Sequence, residues 1–153
     1  MTPDVSTRIS ATDASPLQAT AGESSRPAVK CPARRVLVVD DEPLVRWAVA
    51  ETLNGHGYDV FEAGDAASAR QLFSGSRTPP DLVLLDLLLP DSSDLGVLQF
   101  IRDASPTTAV ILMTACGSPQ VLADAARLGV RVLDKPFEMD ALIPILEAEL
   151  SVY

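Results

Sequence analysis

The chain has few of the residues that several protein classes require. It contains two cysteines, Cys31 and Cys116, which offer neither a disulfide framework nor the spacing of metal ligands. No apolar run approaches the roughly 18 residues of a membrane-spanning helix. The N-terminus also lacks the continuous apolar block of a signal peptide. We therefore expect a reduced, cytoplasmic protein with no membrane contact.

Positively charged residues are scarce over most of the chain. The formal net charge is −9, from 12 basic and 21 acidic residues. Residues 1–35 carry 5 basic and 3 acidic groups, a net of +2, so residues 36–153 carry 7 and 18, a net of −11. A surface with this excess of negative charge repels nucleic acid. We expect no direct nucleic-acid partner.

Composition divides the chain into two regions. Residues 1–33 are rich in Ser, Thr, Ala and Pro and show little apolar periodicity. Such a segment cannot bury enough apolar surface to offset its ordering entropy, so we predict a disordered N-terminal tail over residues 1–33. The tail is either a passive leader or a partner-binding segment. Residues 34–153 are sufficient for one domain with its own core.

Strand-like and helix-like pieces alternate five times in residues 34–153, which predicts an α/β fold with a doubly wound parallel sheet. Trp47 lies about 200° from the core residue Val49 on the first helix, so it should be at least partly exposed and is a candidate protein contact. Pro144 falls inside the last predicted helix and predicts a kink or a late helix start. The second predicted helix buries Ala66, Ala69, Leu72 and Phe73.

Polar side chains follow four of the predicted strands. Because the carboxyl ends of parallel strands meet at one edge of a sheet, we expect these side chains to form one crevice. Clustered carboxylates repel each other and favour a divalent cation, and hard oxygen ligands suit Mg²⁺. The remaining ammonium and hydroxyl groups suit an anion beside the metal, which predicts a site that accepts a phosphoryl group. The residues are Asp40, Asp41, Asp86, Thr114 and Lys135.

Four segments resemble the receiver domain of two-component response regulators. They occur in the order and at the spacing of that family and cover about residues 34–150. One segment alone is a weak signal, whereas four in register are specific. The resemblance implies a flavodoxin-like (receiver) fold, a five-stranded parallel sheet of order 2-1-3-4-5. The segments are VLVVDDEPLVR (36–46), LVLLDLLLPD (82–91), ILMTACGS (111–118) and LDKPF (133–137).

The resemblance also implies the chemistry of the site. Asp86 would accept phosphate from a histidine kinase or a histidine phosphotransfer protein. Thr114 would hydrogen-bond the phosphoryl group, and Lys135 would pair with Asp86 or with the phosphoryl oxygens. The Lys135–Pro136 peptide is expected to be cis. The protein would not be an enzyme beyond self-phosphorylation and slow self-dephosphorylation.

The resemblance implies a metal site on the same edge of the sheet. Asp41, Asp86 and the backbone carbonyl of Leu88 would bind Mg²⁺, and Asp40 would act through water. The side chains of Leu88 and Cys116 occupy places that influence how water reaches the acyl phosphate in similar proteins. Because apolar Leu88 cannot orient a water molecule, we predict slow self-dephosphorylation.

Two positions depart from the pattern of the family. Asp94 stands where the family has glycine, and Asp tolerates left-handed backbone better than most residues. Val132 stands where the family has an aromatic residue that moves with the threonine. Together with Pro144, it predicts an unusual signalling surface on the fourth helix, the fifth strand and the fifth helix. Caps for the third helix are expected among Ser92, Ser93 and Asp94.

Several functions remain open at this stage. The first is a phosphoacceptor receiver that acts through protein contacts or as a phosphorelay intermediate. The second is a pseudo-receiver that binds partners without phosphorylation, against which the intact set of site residues argues. The third is a phosphatase of the haloacid dehalogenase type, which needs an aspartate at the place of Leu88. The chain is alternatively the receiver part of a truncated transcriptional regulator, and a homodimer formed on phosphorylation is left open.

Overall fold

The computed structural model describes residues 31–92 and 95–153. The predicted tail over residues 1–33 lies almost entirely outside these residues. Within them, five strands alternate with five helices. The strands are β1 (Arg35–Val39), β2 (Asp59–Ala63), β3 (Leu82–Asp86), β4 (Ala109–Thr114) and β5 (Arg131–Asp134). The helices are α1 (Pro43–Gly55), α2 (Ala66–Gly75), α3 (Gly96–Ala104), α4 (Pro119–Arg127) and α5 (Met139–Leu150).

All five strands are parallel and lie in the order β2-β1-β3-β4-β5, as predicted. The register pairs Leu84 of β3 with Val38 of β1 on one side and with Ile111 of β4 on the other. Every residue of β3 and β4 is buried. Central strands covered by helices on both faces require such nearly continuous apolar runs. The carboxyl ends of the strands therefore meet at one edge of the sheet.

The two faces of the sheet carry separate hydrophobic cores. Alternate residues of each strand point to opposite faces, so Leu37 and Val36 of β1 belong to different cores. One core joins the sheet to α2, α3 and α4 and includes Phe73, Leu98 and Ala125. The other joins it to α1 and α5 and includes Val49, Leu53, Leu142 and Leu146. This arrangement confirms the predicted doubly wound fold.

Two local predictions can be compared with the helices, and one helix cap is visible. Trp47 is 60% exposed, which confirms its predicted position on the outer face of α1. Ser118 caps α4, and its hydroxyl accepts a hydrogen bond from the Val121 N–H. Leu72 was predicted to be buried and is 38% exposed, so that prediction was wrong. It lies on the flank of the buried face of α2, whose centre is formed by smaller residues and Phe73.

Pro144 predicted either a kink or a late start of the last helix. Helix α5 begins at Met139, five residues before Pro144, which excludes the late start. Leu142, Leu146 and Leu150 are buried on both sides of the proline, and their burial, at about 2 kcal/mol each, outweighs the roughly 3 kcal/mol cost of an interior proline. A kink there stays a prediction.

Helix α3 follows its N-cap residue Leu95, whose side chain makes no capping hydrogen bond. Ser92 is therefore not the cap of α3. The predictions for residues 93 and 94 lie outside the described residues. None of the helices described in residues 31–92 and 95–153 is both long enough and apolar enough to cross a membrane.

Candidate functional site

The carboxyl ends of four adjacent strands bring the predicted site residues together. Asp40 follows β1, Asp86 ends β3, Thr114 ends β4 and Lys135 follows β5. The Leu87 N–H donates to the Met113 carbonyl, and the Lys135 N–H donates to the Thr114 carbonyl. These backbone bonds continue the sheet past its last paired residues, so the side chains are held by rigid strand ends rather than by long loops.

Three carboxylates form an acidic cluster at this edge. Asp40, Asp41 and Asp86 each offer one oxygen atom, and these atoms lie within 4.8 Å of one another. Asp40 and Asp86 are 0% and 5% exposed, whereas Asp41 is exposed. Two negative charges at this separation repel by about 3 kcal/mol at an effective dielectric constant of about 20. An all-oxygen, negatively charged donor set of this kind fits Mg²⁺.

Lys135 forms ion pairs with three acids. Its Nζ lies 2.7 Å from Asp40 Oδ2, 3.1 Å from Asp86 Oδ2 and 3.4 Å from Glu42 Oε1. Burial acts to lower the pKa of Lys135, but the hydrogen bonds to Asp40 and Asp86 raise it above its ordinary value. The side chain is therefore an ammonium ion at neutral pH. The pair with Asp86 was anticipated from the sequence, and the pairs with Asp40 and Glu42 were not.

Both carboxylate oxygens of Asp86 have a partner. Oδ1 accepts a hydrogen bond from the Leu88 N–H at 3.0 Å, and Oδ2 accepts one from Lys135 Nζ at 3.1 Å. Burial raises the pKa of the Asp86 carboxyl, the Leu88 and Lys135 contacts lower it, and the net shift is upward. The side chain is thus fixed in orientation while its negative charge remains incompletely balanced, which suits a group that needs a cation to function.

Thr114 presents a buried hydroxyl beside these charges. It is 1% exposed, and its Oγ1 accepts a hydrogen bond from the Cys116 N–H at 3.1 Å. A hydroxyl that accepts one bond still has its own hydrogen to donate. Thr114 is therefore equipped to donate to an anionic oxygen at the end of β4.

The residues that follow Asp86 line a cleft that Asp41 also lines. The Leu88 side chain is 58% exposed and lines a cleft of about 390 Å³ with Asp41, Pro90 and Cys116 among its walls. The Leu88 carbonyl stays a predicted metal ligand, and the water-mediated role of Asp40 stays a prediction as well. The Lys135–Pro136 peptide is cis, as expected.

Two acids of this region were missed in the sequence. Glu42 reaches Lys135, and the signal for it was its place two residues after Asp40, whose Oδ1 accepts from the Glu42 N–H at 2.9 Å. Asp91 accepts from the Ala66 and Ala67 N–H groups at 2.7 and 2.9 Å, and these bonds lower its pKa. No sequence pattern indicates this second contact, because Asp91 lies in the loop after β3 whereas Ala66, 25 residues away, begins α2.

A known protein family matches most of this chain. The family model described as "Response regulator receiver domain" matches residues 36–147, which lie inside the predicted domain of residues 34–153. The chain therefore belongs to the response regulator receiver domain family, a family of signalling modules rather than conventional enzymes. Membership of this family excludes the alternative of a phosphatase of the haloacid dehalogenase type. Receivers of this family bind Mg²⁺ at an acidic pocket, and Asp40, Asp41 and Asp86 form an acidic cluster in this chain.

This chain covers different shares of its curated relatives. The probable transcriptional regulatory protein TcrX of Mycobacterium tuberculosis is 37% identical over 116 residues, 75% of this chain and 49% of TcrX. The response regulator protein PilR of Pseudomonas aeruginosa is 35% identical, and 26% of its length is covered. Sporulation initiation phosphotransferase F of Bacillus subtilis is 31% identical over 71% of this chain and 86% of its own length. The chain thus spans about half or less of the first two relatives.

Solved structures show the same fold. The receiver domain of a putative LuxO repressor protein from Vibrio parahaemolyticus is 31% identical, with a TM-score of 0.70 over 78% of this chain and 91% of that domain. The chemotaxis protein CheY4 of Vibrio cholerae is 27% identical, with a TM-score of 0.69 over 76% of this chain and 98% of CheY4.

Proposed function

We propose that this chain is a phosphoacceptor receiver of a two-component system, in which Asp86 takes a phosphoryl group from a phosphohistidine. The donor is a histidine kinase or a histidine phosphotransfer protein. The observation that carries the proposal is the environment of Asp86. Its carboxylate is fixed at both oxygens, lies in an acidic cluster and faces the ammonium of Lys135.

The transfer requires positioning and charge balance rather than acid–base chemistry. An oxygen of Asp86 forms a bond to phosphorus while the bond between phosphorus and the donor nitrogen breaks. The electron pair of that bond leaves with the imidazole, which is then protonated. Lys135 balances charge on the phosphoryl oxygens, and the Thr114 hydroxyl donates a hydrogen bond to one of them. Positioning and electrostatic stabilisation provide most of the rate enhancement in phosphoryl transfer.

The acidic cluster is the proposed metal site. Asp41, Asp86 and the Leu88 carbonyl would hold Mg²⁺, with Asp40 acting through water. Bound Mg²⁺ would neutralise charge on the transferring phosphoryl group. The exposed Asp41 lies on the open side of the cluster, whereas the buried Asp40 is paired with Lys135.

The same edge supports contact with a protein donor. Leu44 and Trp47 lie one turn apart on α1 and are 81% and 60% exposed. A cleft of about 320 Å³ is lined mainly by apolar side chains, including Val45 of the same helix, together with Glu42 and Lys135. Exposed aromatic and aliphatic side chains beside a reactive group are typical of a protein contact. We propose that the phosphohistidine-bearing partner covers this region.

Small-molecule phosphodonors test the proposal without the partner. The full chain is treated with acetyl phosphate with and without Mg²⁺, and intact mass is measured for wild type, Asp86→Asn and the control Asp134→Asn. We expect an adduct of about 80 Da on wild type and on the control, dependent on Mg²⁺ and absent from Asp86→Asn. A folded wild-type protein that gives no adduct would instead support the pseudo-receiver.

A further inference from the structure

Arg46 connects α1 to the loop that carries the first two acids of the cluster. Its Nη1 donates to the backbone carbonyl of Asp40 at 2.7 Å, and its Nε lies 3.4 Å from Glu62 Oε2 on β2. The side chain is 22% exposed, so most of it lies against the protein. The guanidinium therefore bridges the ends of β1 and β2 just behind the acidic cluster.

The Asp40 carbonyl belongs to the peptide group that joins Asp40 to Asp41. The neighbouring atoms are also held, since the Asp40 N–H donates to the Ala63 carbonyl at 3.1 Å and Asp40 Oδ1 accepts from the Glu42 N–H at 2.9 Å. In the part of the chain that the structure describes, the Asp41 carboxylate has no hydrogen bond of its own. Its position consequently depends on the orientation of this peptide group.

Gly64 provides the space that the guanidinium occupies. A Cβ at position 64 would lie 3.2 Å from Arg46 Nη1 and 3.7 Å from its Cζ. The backbone of Gly64 does not adopt a positive φ, so alanine can take the same conformation. A methyl group there would press on the Arg46 side chain without straining the backbone.

We propose that Arg46 is a positioning residue for the metal site. It fixes the peptide between Asp40 and Asp41, and Gly64 leaves room for it to do so. The inference deepens the proposed function and rests on it, because it takes Asp41 to be a ligand of Mg²⁺.

A purely electrostatic role and a positioning role of Arg46 predict opposite changes in Mg²⁺ affinity. A cation near the cluster repels Mg²⁺, so removal of the charge alone would strengthen metal binding. Loss of the hydrogen bond that orients the peptide group would weaken Mg²⁺ binding. The sign of the change therefore separates a positioning role from a purely electrostatic one.

The test is titration of the full chain with MgCl₂, followed by amide NMR shifts in the β3–α3 loop, for wild type, Arg46→Met, Gly64→Ala and the double variant. We expect Arg46→Met to weaken Mg²⁺ binding about five- to tenfold and Gly64→Ala about threefold. In the Arg46→Met background, Gly64→Ala should have no further effect, because the side chain on which it presses is absent. Arg46→Lys should restore part of the affinity.

The control is Glu62→Gln, which removes the partner of the Arg46 Nε atom and leaves the bond to Asp40, and it should bind Mg²⁺ within about twofold of wild type. Unchanged or tighter binding by Arg46→Met would overturn the inference, as would equal effects of Gly64→Ala in both backgrounds. A folded wild-type chain that binds no Mg²⁺ would overturn the proposed function together with this inference. Wild-type binding that the Arg46 and Gly64 variants leave unaltered would overturn the inference alone.

Discussion

Lys135 Nζ lies 2.7 Å from Asp40 and 3.1 Å from Asp86, so one ammonium holds together two buried carboxylates that follow neighbouring strands. Asp40 therefore shares the lysine with the proposed phosphoacceptor before any phosphate arrives. When the phosphoryl group takes over one of these contacts, the ammonium can keep the other. The contact with Asp40 thus keeps Lys135 close to Asp86 in both states.

Loss of the lysine should destabilise the protein when metal is absent. Lys135→Met leaves Asp40 and Asp86 buried without a counter-charge, and we expect the free energy of unfolding in EDTA near neutral pH to fall by about 3 kcal/mol. Added Mg²⁺ should recover more stability in this variant than in wild type. Urea unfolding with and without Mg²⁺ measures both effects. Equal stability of the variant and wild type in EDTA would contradict the ion-pair geometry.

The ionised carboxylate of Asp86 should lower the free energy of unfolding at neutral pH. Its folded-state pKa is raised, so the folded chain binds this proton more tightly than the unfolded chain, and stability rises as pH falls through the folded pKa. Asp86→Asn should therefore be more stable than wild type in EDTA at neutral pH, and the difference should shrink as pH falls toward about 4. Urea unfolding across this range gives the difference. Asp134→Asn serves as the matched control, and a constant difference for Asp86→Asn would count against burial as the cause.

Asp91 should have the opposite pH dependence. Its folded-state pKa is lowered by the Ala66 and Ala67 N–H groups, so its contribution is present above the unfolded pKa and is lost as pH falls through the folded pKa. We expect Asp91→Asn to lower the melting temperature at neutral pH and to have less effect below about pH 4. Thermal unfolding followed by circular dichroism measures the change. Asp103→Asn, at the end of α3, is the control, and a similar loss in both variants would contradict the contact.

The phosphorylated state should be long-lived because Leu88 offers no polar group to a hydrolytic water. Loss of the 80 Da adduct after removal of acetyl phosphate should take longer than about a minute in wild type. Leu88→Asn introduces an amide that can hold a water molecule beside Asp86, and it should shorten the half-life about fivefold. Intact mass at successive times gives the half-life, and Leu88→Met is the control with an apolar side chain. A half-life of seconds in wild type would refute the prediction.

Most of the site could be predicted from the residues at which the apolar runs end. Apolar runs ending in Asp40, Asp86 and Thr114 define parallel strands, and their carboxyl ends must share an edge whatever the loops do. The contact of Asp91 was not predictable, because it depends on how the loop after β3 packs against the start of α2. The effect of Val132, which is partly buried against one core, stays a prediction.

Pro144 shows a different limit of sequence reasoning. A local rule allowed a late helix start at this proline, yet the buried leucines before and after it keep α5 continuous from Met139. Tertiary packing outweighed a local preference there. Helix propensity alone does not include the stabilisation from burying these leucines, because the residues that cover them come from strands elsewhere in the chain.

Hydrogen bonds to Asp91 join the loop after Asp86 to the start of α2. Asp91 holds two backbone N–H groups of α2 and lies five residues beyond the proposed phosphoacceptor. A displacement of the loop would therefore pull on the first turn of α2, on the face of the sheet opposite to α1 and α5. An event at Asp86 that moves this loop would therefore also act on a face of the sheet other than the one that carries the proposed phosphodonor contact.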